Sequence, residues 1–291
     1  MSKLQFTKAF TQQEAIPEQA KQRVMELLDS GPLHRYNTVG NELSDAAMLE
    51  QAYAQYQGRK YCLACTSGGY GIHIALRAMG LQVGDEVLTN AYTLAPVPGA
   101  IHAAGGKPVL VEIDENYHLD LADLKAKAKA SKAKILLLSL MRGHIPNMQQ
   151  LMTLCNELGI KVLEDCAHTM GASWDGIKSG NFGQVAAFSL QTYKHLNTGE
   201  GGLVVTDDAQ IAARLIMHSG SYMLYERHGA APAPGVFENI RLVSANMSGR
   251  MDNMRAALGL AQLPNLDKNC ERWNHRYNLL NAAIGAISGV D

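Results

Sequence analysis

Short apolar segments alternate with helix-like segments along most of this chain. This alternation is typical of an α/β fold with a mostly parallel sheet covered by helices. Ligands of such sheets bind beyond the carboxyl ends of the strands, so polar residues that follow a strand are the candidates for function. Strand-like segments cover 61–66, 85–88, 108–113, 134–139, 161–165, 185–190 and 203–206, and helix-like segments cover 72–79, 97–104, 121–130, 147–158 and a stretch from 209.

The composition argues against several classes of protein. The 291 residues include 26 basic and 27 acidic side chains, so the net charge of −1 gives no general attraction to nucleic acid or to an anionic membrane. No stretch approaches the roughly 20 apolar residues of a membrane span, and residues 1–6 lack the apolar region of a signal peptide. Five cysteines, an odd number, favour a reducing cytoplasm. Cys62 and Cys65 form a C-x-x-C within a predicted core strand, and we interpret them as buried thiols.

One lysine lies between two predicted strands. Lys194 follows the segment 185–190, and the glycine-rich run 199–202 leads into the next strand. A lone lysine is usually a surface residue. An amine held at a fixed point between strands, however, suits a Schiff base with a carbonyl cofactor.

Two further polar groups follow predicted strands. The small residues Ser67, Gly68 and Gly69 come between a strand and a helix, where backbone N–H groups can approach an anion, although small residues also form ordinary turns. Asp165 ends another strand, where an acid either caps a helix or holds a pyridine nitrogen protonated, which makes the ring an electron sink. Together with Lys194, these groups predict a cofactor site.

These motifs, in this order, resemble the DegT/DnrJ/StrS family of pyridoxal-phosphate sugar aminotransferases from about Leu27 to Leu266. The resemblance implies an aspartate-aminotransferase-like α/β fold (PLP fold type I). It implies a PLP-binding large domain with an N-terminal arm over 1–264. Because family members are usually longer, 265–291 is expected to be the start of a truncated C-terminal domain. The matching motifs are Thr-Ser-Gly-Gly at 66–69, Glu-Asp-x-Ala-His at 164–168, the lysine motif at 189–202 with Leu190 replacing a phenylalanine, and Arg-Met-x-x-x-x-Ala-Ala-x-Gly at 250–259.

The resemblance also implies roles for individual residues. Lys194 would form the Schiff base with pyridoxal 5′-phosphate and would later move protons, which requires an unprotonated amine. Asp165 would pair with the pyridinium nitrogen, and His168 would lie beside the hydroxyl side of the ring. The phosphate would be held by Ser67, Gly68, Gly69 and Ser189.

Two positions depart from the family pattern. The second aromatic residue of an aromatic-Thr-aromatic motif normally stacks on the cofactor ring, but Leu94 occupies that position here, and Tyr92 is the candidate to replace it. The family asparagine that reaches the phosphate of a neighbouring subunit is Ser248 by strict count and Asn246 after a two-residue shift. We favour Asn246. The resemblance implies a homodimer with a shared active site.

The substrate is the least constrained prediction. Arg35 and Arg227 lie in basic, aromatic segments and could bind a carboxylate bidentately, although loop arginines are more often plain surface residues. Our hypothesis is amino transfer from glutamate to a keto or aldehydo sugar that carries its own carboxylate, such as 8-oxo-3-deoxy-octulosonate in lipopolysaccharide biosynthesis. The alternatives are a nucleotide-linked keto-sugar acceptor and a non-catalytic PLP-binding regulatory protein. The ten histidines show no metal-ligand spacing, so no metal site is predicted.

Overall fold

The structure is a computed structural model that describes residues 7, 9, 13–38, 40 and 42–289. The start of the predicted N-terminal arm, at 1–6, and the end of the predicted C-terminal segment, at 290–291, lie outside these residues. The strands are β1 (Tyr61–Cys65), β2 (Glu86–Asn90), β3 (Lys107–Val111), β4 (Ile135–Ser139), β5 (Lys161–Asp165), β6 (Ser173–Trp174), β7 (Ile177–Lys178), β8 (Val185–Ser189) and β9 (Gly202–Thr206).

Within the described residues, seven strands form one sheet in the order β1-β9-β8-β5-β4-β2-β3. The pairs β2–β3, β2–β4, β4–β5 and β5–β8 are parallel, whereas β9 runs antiparallel to both β1 and β8. The predicted α/β fold with a mostly parallel sheet is confirmed. An antiparallel pair needs no crossover helix, so a short connection joins β8 to β9 at the carboxyl end of β8.

Helices pack on both faces of the sheet, and the apolar side chains of each strand alternate between two cores. In β4, Leu136 and Leu138 belong to one core, and Ile135 and Leu137 belong to the other. A strand buried on both faces is a continuous apolar run, as this one is. The helices are α1 (Glu18–Ser30), α2 (Asp45–Gln57), α3 (Gly68–Ala78), α4 (Pro96–Ala103), α5 (Leu121–Ala130), α6 (Met148–Glu157), α7 (Ala209–Ser219), α8 (Phe237–Ile240), α9 (Asn253–Gln262) and α10 (Leu266–Gly285).

Two local features differ from the expectations drawn from the sequence. Helix α3 begins at Gly68, four residues before the predicted start, because the Ser67 side chain accepts a hydrogen bond from the Tyr70 N–H and caps the first turn. The β6–β7 hairpin was not predicted. Its turn residues Asp175 and Gly176 both have positive φ, 48° and 76°, which is the conformation that an Asp-Gly type I′ turn requires.

The C-x-x-C cysteines lie in β1 and are buried, as predicted. Burial raises the pKa of Cys62 and of Cys65. In the described part of the chain, no group of three or more His, Cys, Asp or Glu side chains is arranged to hold a metal ion. A search of the same residues finds no helix of the length and apolarity that a bilayer crossing needs. The predicted C-terminal segment forms α10, in which only Leu266 is buried among the described residues.

A buried ion cluster joins α2, β1 and two loops. The guanidinium of Arg35 is 1% exposed and donates to both carboxylate oxygens of Glu50 at 2.8 Å. Glu50 also accepts from the backbone N–H of Ala64 at 2.9 Å, and His228 Nδ1 lies 2.9 Å from Arg35. Burial alone would raise the pKa of Glu50, but attraction to Arg35 and His228 lowers it overall. This placement contradicts the hypothesis that Arg35 binds a substrate carboxylate, because its guanidinium is buried against a protein carboxylate.

The ion cluster generates a stability prediction. Glu50→Gln removes the charge that balances Arg35 in a dry site, so we expect the free energy of unfolding to fall by about 3–5 kcal/mol. Lys21→Met is the control, since it breaks the solvent-exposed pair with Glu18 and should change stability little. Urea unfolding of both variants measures the difference. Equal losses from the two substitutions would contradict the assigned role of the cluster.

Candidate active site

A cavity of about 390 Å³ lies at the carboxyl ends of the parallel strands. This is the edge at which open α/β sheets bind ligands, and the volume is in the range of small-molecule sites. The cavity brings together most of the residues that the sequence predicts for a cofactor site. Its lining includes Ser67, Gly68 and Gly69 after β1, Leu94 after β2, Ser139, Leu140 and Met141 from β4 and the turn that follows it, Asp165, Ala167 and His168 from the end of β5, and Ser189, Gln191 and Lys194 from the end of β8.

Lys194 is hydrogen-bonded to His168, and the geometry indicates its protonation state. The Nζ atom of Lys194 lies 2.6 Å from His168 Nε2, and the backbone N–H of Arg142 donates to His168 Nδ1 at 3.0 Å. Because Nδ1 accepts, the proton of the imidazole is on Nε2, which then donates to Lys194. An amine accepts a hydrogen bond only when it is unprotonated. The arrangement therefore requires neutral Lys194.

The electrostatic environment favours the same protonation state. Burial lowers the pKa of Lys194, attraction to Asp165 raises it, and repulsion by Arg142 lowers it again, with a net decrease. Burial, followed by repulsion from Lys194 and Arg142, lowers the pKa of His168 to about 4. His168 is thus neutral at physiological pH, and the amine of Lys194 loses its proton more readily than an ordinary lysine.

Asp165 is a buried carboxylate with few donors. Its Oδ1 accepts from the Ala167 N–H at 3.1 Å, and its Oδ2 accepts a long hydrogen bond of 3.4 Å from the hydroxyl of Ser139. Thr93 donates in turn to Ser139 Oγ at 2.7 Å, so a chain of hydroxyls links β2, β4 and β5. Burial raises the pKa of Asp165 to about 6. A cationic group in the cavity would lower the pKa of Asp165 back toward its ordinary value.

Glu164 has a structural role that the sequence did not indicate. Successive side chains of a strand point to opposite faces, so Glu164 is directed away from Asp165. Its carboxylate is fully buried and accepts from the backbone N–H groups of Gly180, Phe182 and Gly183 at 2.7–2.9 Å. Glu164 therefore fixes the loop that leads from β7 into β8.

The turn between β1 and α3 lies against β8 and β9 because two glycines allow close contact. A Cβ atom on Gly202 would lie 2.4 Å from the carbonyl carbon of Ser67, and one on Gly68 would lie 2.9 Å from Ser189 Cβ. The turn thus places Ser67, Gly68 and Gly69 at the N-terminus of α3, where the helix dipole favours an anion, beside the hydroxyl of Ser189.

Leu94 and Tyr92 differ in their position relative to the cavity. Leu94 lines the cavity and is 44% exposed. Tyr92 lies outside the lining, where its ring centroid is 5.0 Å from that of Tyr117 and 6.2 Å from that of His144. The structure therefore places an apolar side chain, and not the tyrosine, beside Lys194.

The remaining predicted residues do not line this cavity. Arg227 Nη1 donates to the backbone oxygen of Tyr36 at 2.8 Å and so holds a neighbouring loop. Asn246 and Ser248 are both exposed, in the loop that precedes Arg250. The contact of either residue with a partner's phosphate stays a prediction, as does substrate binding by Arg227.

Comparison with known proteins places this site in a family. The DegT/DnrJ/EryC1/StrS aminotransferase family matches residues 14–291. GDP-perosamine synthase of Caulobacter vibrioides is 34% identical over 76% of this chain and 57% of its own length. The Pleiotropic regulatory protein of Geobacillus stearothermophilus is 31% identical over 93% of this chain and 70% of its own. The crystal structure of 3-amino-5-hydroxybenzoic acid synthase is 26% identical, covers 96% of this chain and 70% of that chain, and has a TM-score of 0.79.

The chain belongs to the DegT/DnrJ/EryC1/StrS aminotransferase family, and the resemblance inferred from its motifs is confirmed. Its fold is the α/β fold of PLP-dependent aminotransferases of fold type I, as predicted. Pyridoxal 5′-phosphate is the cofactor of this family. The chain spans 57–70% of the length of the two relatives named first.

The environment of Lys194 generates a pH prediction. The rate at which an amine-reactive reagent labels Lys194, followed by mass spectrometry of its peptide, should have a midpoint below the ordinary lysine value of 10.5. Asp165→Asn should lower the midpoint further, because it removes the attraction that favours the ammonium. The control is the same lysine in the urea-unfolded chain. Identical midpoints in the folded and unfolded chains would show that the site does not perturb this amine.

Proposed function

We propose that the protein is a PLP-dependent aminotransferase that moves an amino group from glutamate to a keto or aldehydo sugar. One observation carries the proposal: a hydrogen-bonded lysine amine in its neutral form shares a cavity with a buried carboxylate and a small-residue anion turn. Each group suits one part of the cofactor. An amine binds its carbonyl, a carboxylate binds its ring nitrogen, and the turn binds its phosphate.

The residues that line the cavity fit pyridoxal 5′-phosphate. Lys194 would hold it covalently through Nζ, and Asp165 would keep the proton on the ring nitrogen. The phosphate would lie at the N-terminus of α3, where Gly68 permits the close contact with Ser189. When bound, the cofactor supplies an electron sink for the bond changes of amino transfer. The apolar face of Leu94 would cover the ring.

The chain's own groups then move the proton that amino transfer requires. With the cofactor bound, Lys194 Nζ in its neutral form would accept a proton from the substrate carbon and would give it back later in the transfer. His168 Nε2–H, whose orientation is fixed by the Arg142 N–H, occupies the lone pair of this amine in the empty site and so holds the amine neutral and in place. The lowered pKa of Lys194 supports this role, because a general base must be unprotonated at the working pH.

We propose in addition that the protein acts as a homodimer with a shared site. The exposed loop that holds Asn246 and Ser248 supports this assembly, because neither residue lines the cavity of its own chain. Asn246 is our choice for the contact with the partner's phosphate. A monomer with full activity would contradict the proposal.

The acceptor that we propose is a sugar with its own carboxylate, such as 8-oxo-3-deoxy-octulosonate of lipopolysaccharide biosynthesis. The relatives point to two kinds of acceptor. One is named for a GDP-linked sugar, and another is named for an aminohydroxybenzoic acid, which bears a carboxylate. A nucleotide-linked keto-sugar is thus the second candidate.

A regulatory protein without turnover is the third candidate function, because one relative is named a regulatory protein. We also propose that the protein is located in the cytoplasm.

Cofactor attachment is the first test. We expect borohydride reduction of the protein with pyridoxal phosphate to label the peptide of Lys194, and Lys194→Ala to abolish the label and the absorbance near the visible edge. Lys178→Ala is the matched control, since that ammonium lies over the ring of Tyr56 and outside the cavity. Glutamate should convert the bound cofactor to its amine form in the wild type. Attachment without conversion would favour a regulatory protein, and no attachment would refute the proposal.

The acceptor is tested by competition between two classes of keto-sugar. With glutamate as donor, we expect amination of oxidised 3-deoxy-octulosonate at a higher kcat/KM than that of nucleotide-linked keto-sugars. Product formation is measured by mass spectrometry. Turnover of the nucleotide sugars alone would contradict the carboxylate hypothesis and would leave the aminotransferase proposal intact.

A further inference from the structure

Arg142 is held in a conformation that an arginine rarely adopts. It lies in the 3₁₀ turn Met141–Gly143 after β4, with φ 56° and ψ 14°, in the left-handed region. This conformation is unfavourable for a non-glycine residue, and it persists where neighbouring groups require it. Here the strained backbone donates its N–H to His168 Nδ1. The strained residue is therefore the one whose N–H orients His168 and, through His168, the amine of Lys194.

The side chain of Arg142 is exposed, and its guanidinium has no hydrogen bond or ion pair with the described residues. The residue is nevertheless at the edge of the cavity, because its backbone N–H lies 3.0 Å from His168 Nδ1 and its neighbour Met141 lines the cavity. Its charge also lowers the pKa of Lys194 and of His168 by repulsion. An unpaired cation beside a reactive amine destabilises the ammonium form of that amine. It also attracts any anion that approaches the cavity.

Three other arginines are paired with groups of the protein. Arg35 is bound to Glu50, and Arg227 donates to the backbone of Tyr36. Arg250 Nη1 donates to the Gly220 carbonyl at 2.6 Å, and its guanidinium lies 4.6 Å from the ring of Tyr222. Of these four arginines, Arg142 is the one whose guanidinium has no partner among the described residues, and the residue before it lines the cavity.

An aromatic cluster begins two residues after Arg142. The ring centroid of His144 is 5.4 Å from that of Tyr117, which is also in the left-handed region, with φ 63° and 51% exposure. Tyr92 completes the cluster. Two strained loops thus bring a cation and one exposed aromatic side chain, Tyr117, to the same edge of the sheet, an arrangement suited to a polar, partly apolar ligand such as a sugar acid.

We propose that Arg142 binds the carboxylate of the substrate at the reacting position. The inference deepens the proposed function and rests on it for the identity of the reaction. Guanidinium and carboxylate form a bidentate, charge-assisted pair. Such a pair would also neutralise the repulsion that Arg142 exerts on Lys194. The amine would then accept a proton more readily when a carboxylate-bearing substrate is in place than when the site is empty.

Binding of glutarate, a dicarboxylate with no amine to react, tests the proposal in the protein with and without pyridoxal phosphate. We expect calorimetry to show glutarate binding that weakens about tenfold or more in Arg142→Gly. Glycine keeps the left-handed turn and the N–H to His168, so this variant removes only the side chain. Arg142→Lys keeps the charge but loses the paired N–H donors of the guanidinium. Its affinity for glutarate should lie between those of the wild type and Arg142→Gly. Arg214→Gln is the control, because that arginine lines a separate cleft.

The possible outcomes separate the two proposals. Absence of glutarate binding by the wild type, or equal affinity in Arg142→Gly, overturns the role of Arg142. Labelling of Lys194 by pyridoxal phosphate and borohydride in the same variants reports on the cofactor site independently. A slower glutamate half-reaction in Arg142→Gly, with an unchanged rate for 1-aminopropane, assigns the carboxylate to the donor. A raised KM for the sugar acid alone assigns it to the acceptor.

Discussion

The site depends on the close approach of β9 to its two neighbours at Gly202. This residue pairs with Cys65 of β1 on one side and with Ser189 of β8 on the other. A side chain here would overlap the carbonyl carbon of Ser67. Because Gly202 has none, the turn after β1 lies against the end of β8. The anion turn and the loop that holds Lys194 therefore meet at one edge of the sheet, although more than 120 residues separate them in the chain.

Hydrogen bonding and burial both favour the neutral form of Lys194. The Arg142 N–H binds His168 Nδ1, so the imidazole proton is on Nε2, which faces Lys194. The amine must be neutral to accept a hydrogen bond from that N–H. Burial and the charge of Arg142 lower the pKa of Lys194. Asp165 acts in the opposite direction, because its carboxylate attracts the ammonium. A cofactor with a cationic ring nitrogen would compete for Asp165 and would remove that opposing effect.

The sequence predicts the sheet well because central strands such as β4, β8 and β9 are buried on both faces and are short, largely apolar runs. Segments 161–165 and 121–130 coincide with β5 and α5. The first turn of α3 could not be seen, since two glycines are poor helix formers and only the Ser67 cap and the packing against Ser189 stabilise it there. The Asp175-Gly176 turn was visible in principle, because Asp-Gly is a signal for a type I′ hairpin.

The site residues were predictable to the extent that they follow strands. Asp165, His168 and Lys194 are in the cavity for that reason. Arg35 was not predictable, because it lies in a loop, its partner Glu50 lies in α2, and nothing local marks the arginine as buried. Arg142 was not predictable either, since its function depends on a left-handed backbone that the residue type disfavours.

The charge of Arg142 has opposite consequences before and after a carboxylate binds. In the substrate-free protein it favours a neutral Lys194, which is the form that can attach to a carbonyl. With a carboxylate on the guanidinium, the repulsion is cancelled and the same amine becomes a stronger base. A cation that the substrate itself neutralises thus lets one lysine be neutral in the empty site and more basic once the substrate is bound, which gives a physical reason for holding an arginine in a strained turn beside His168.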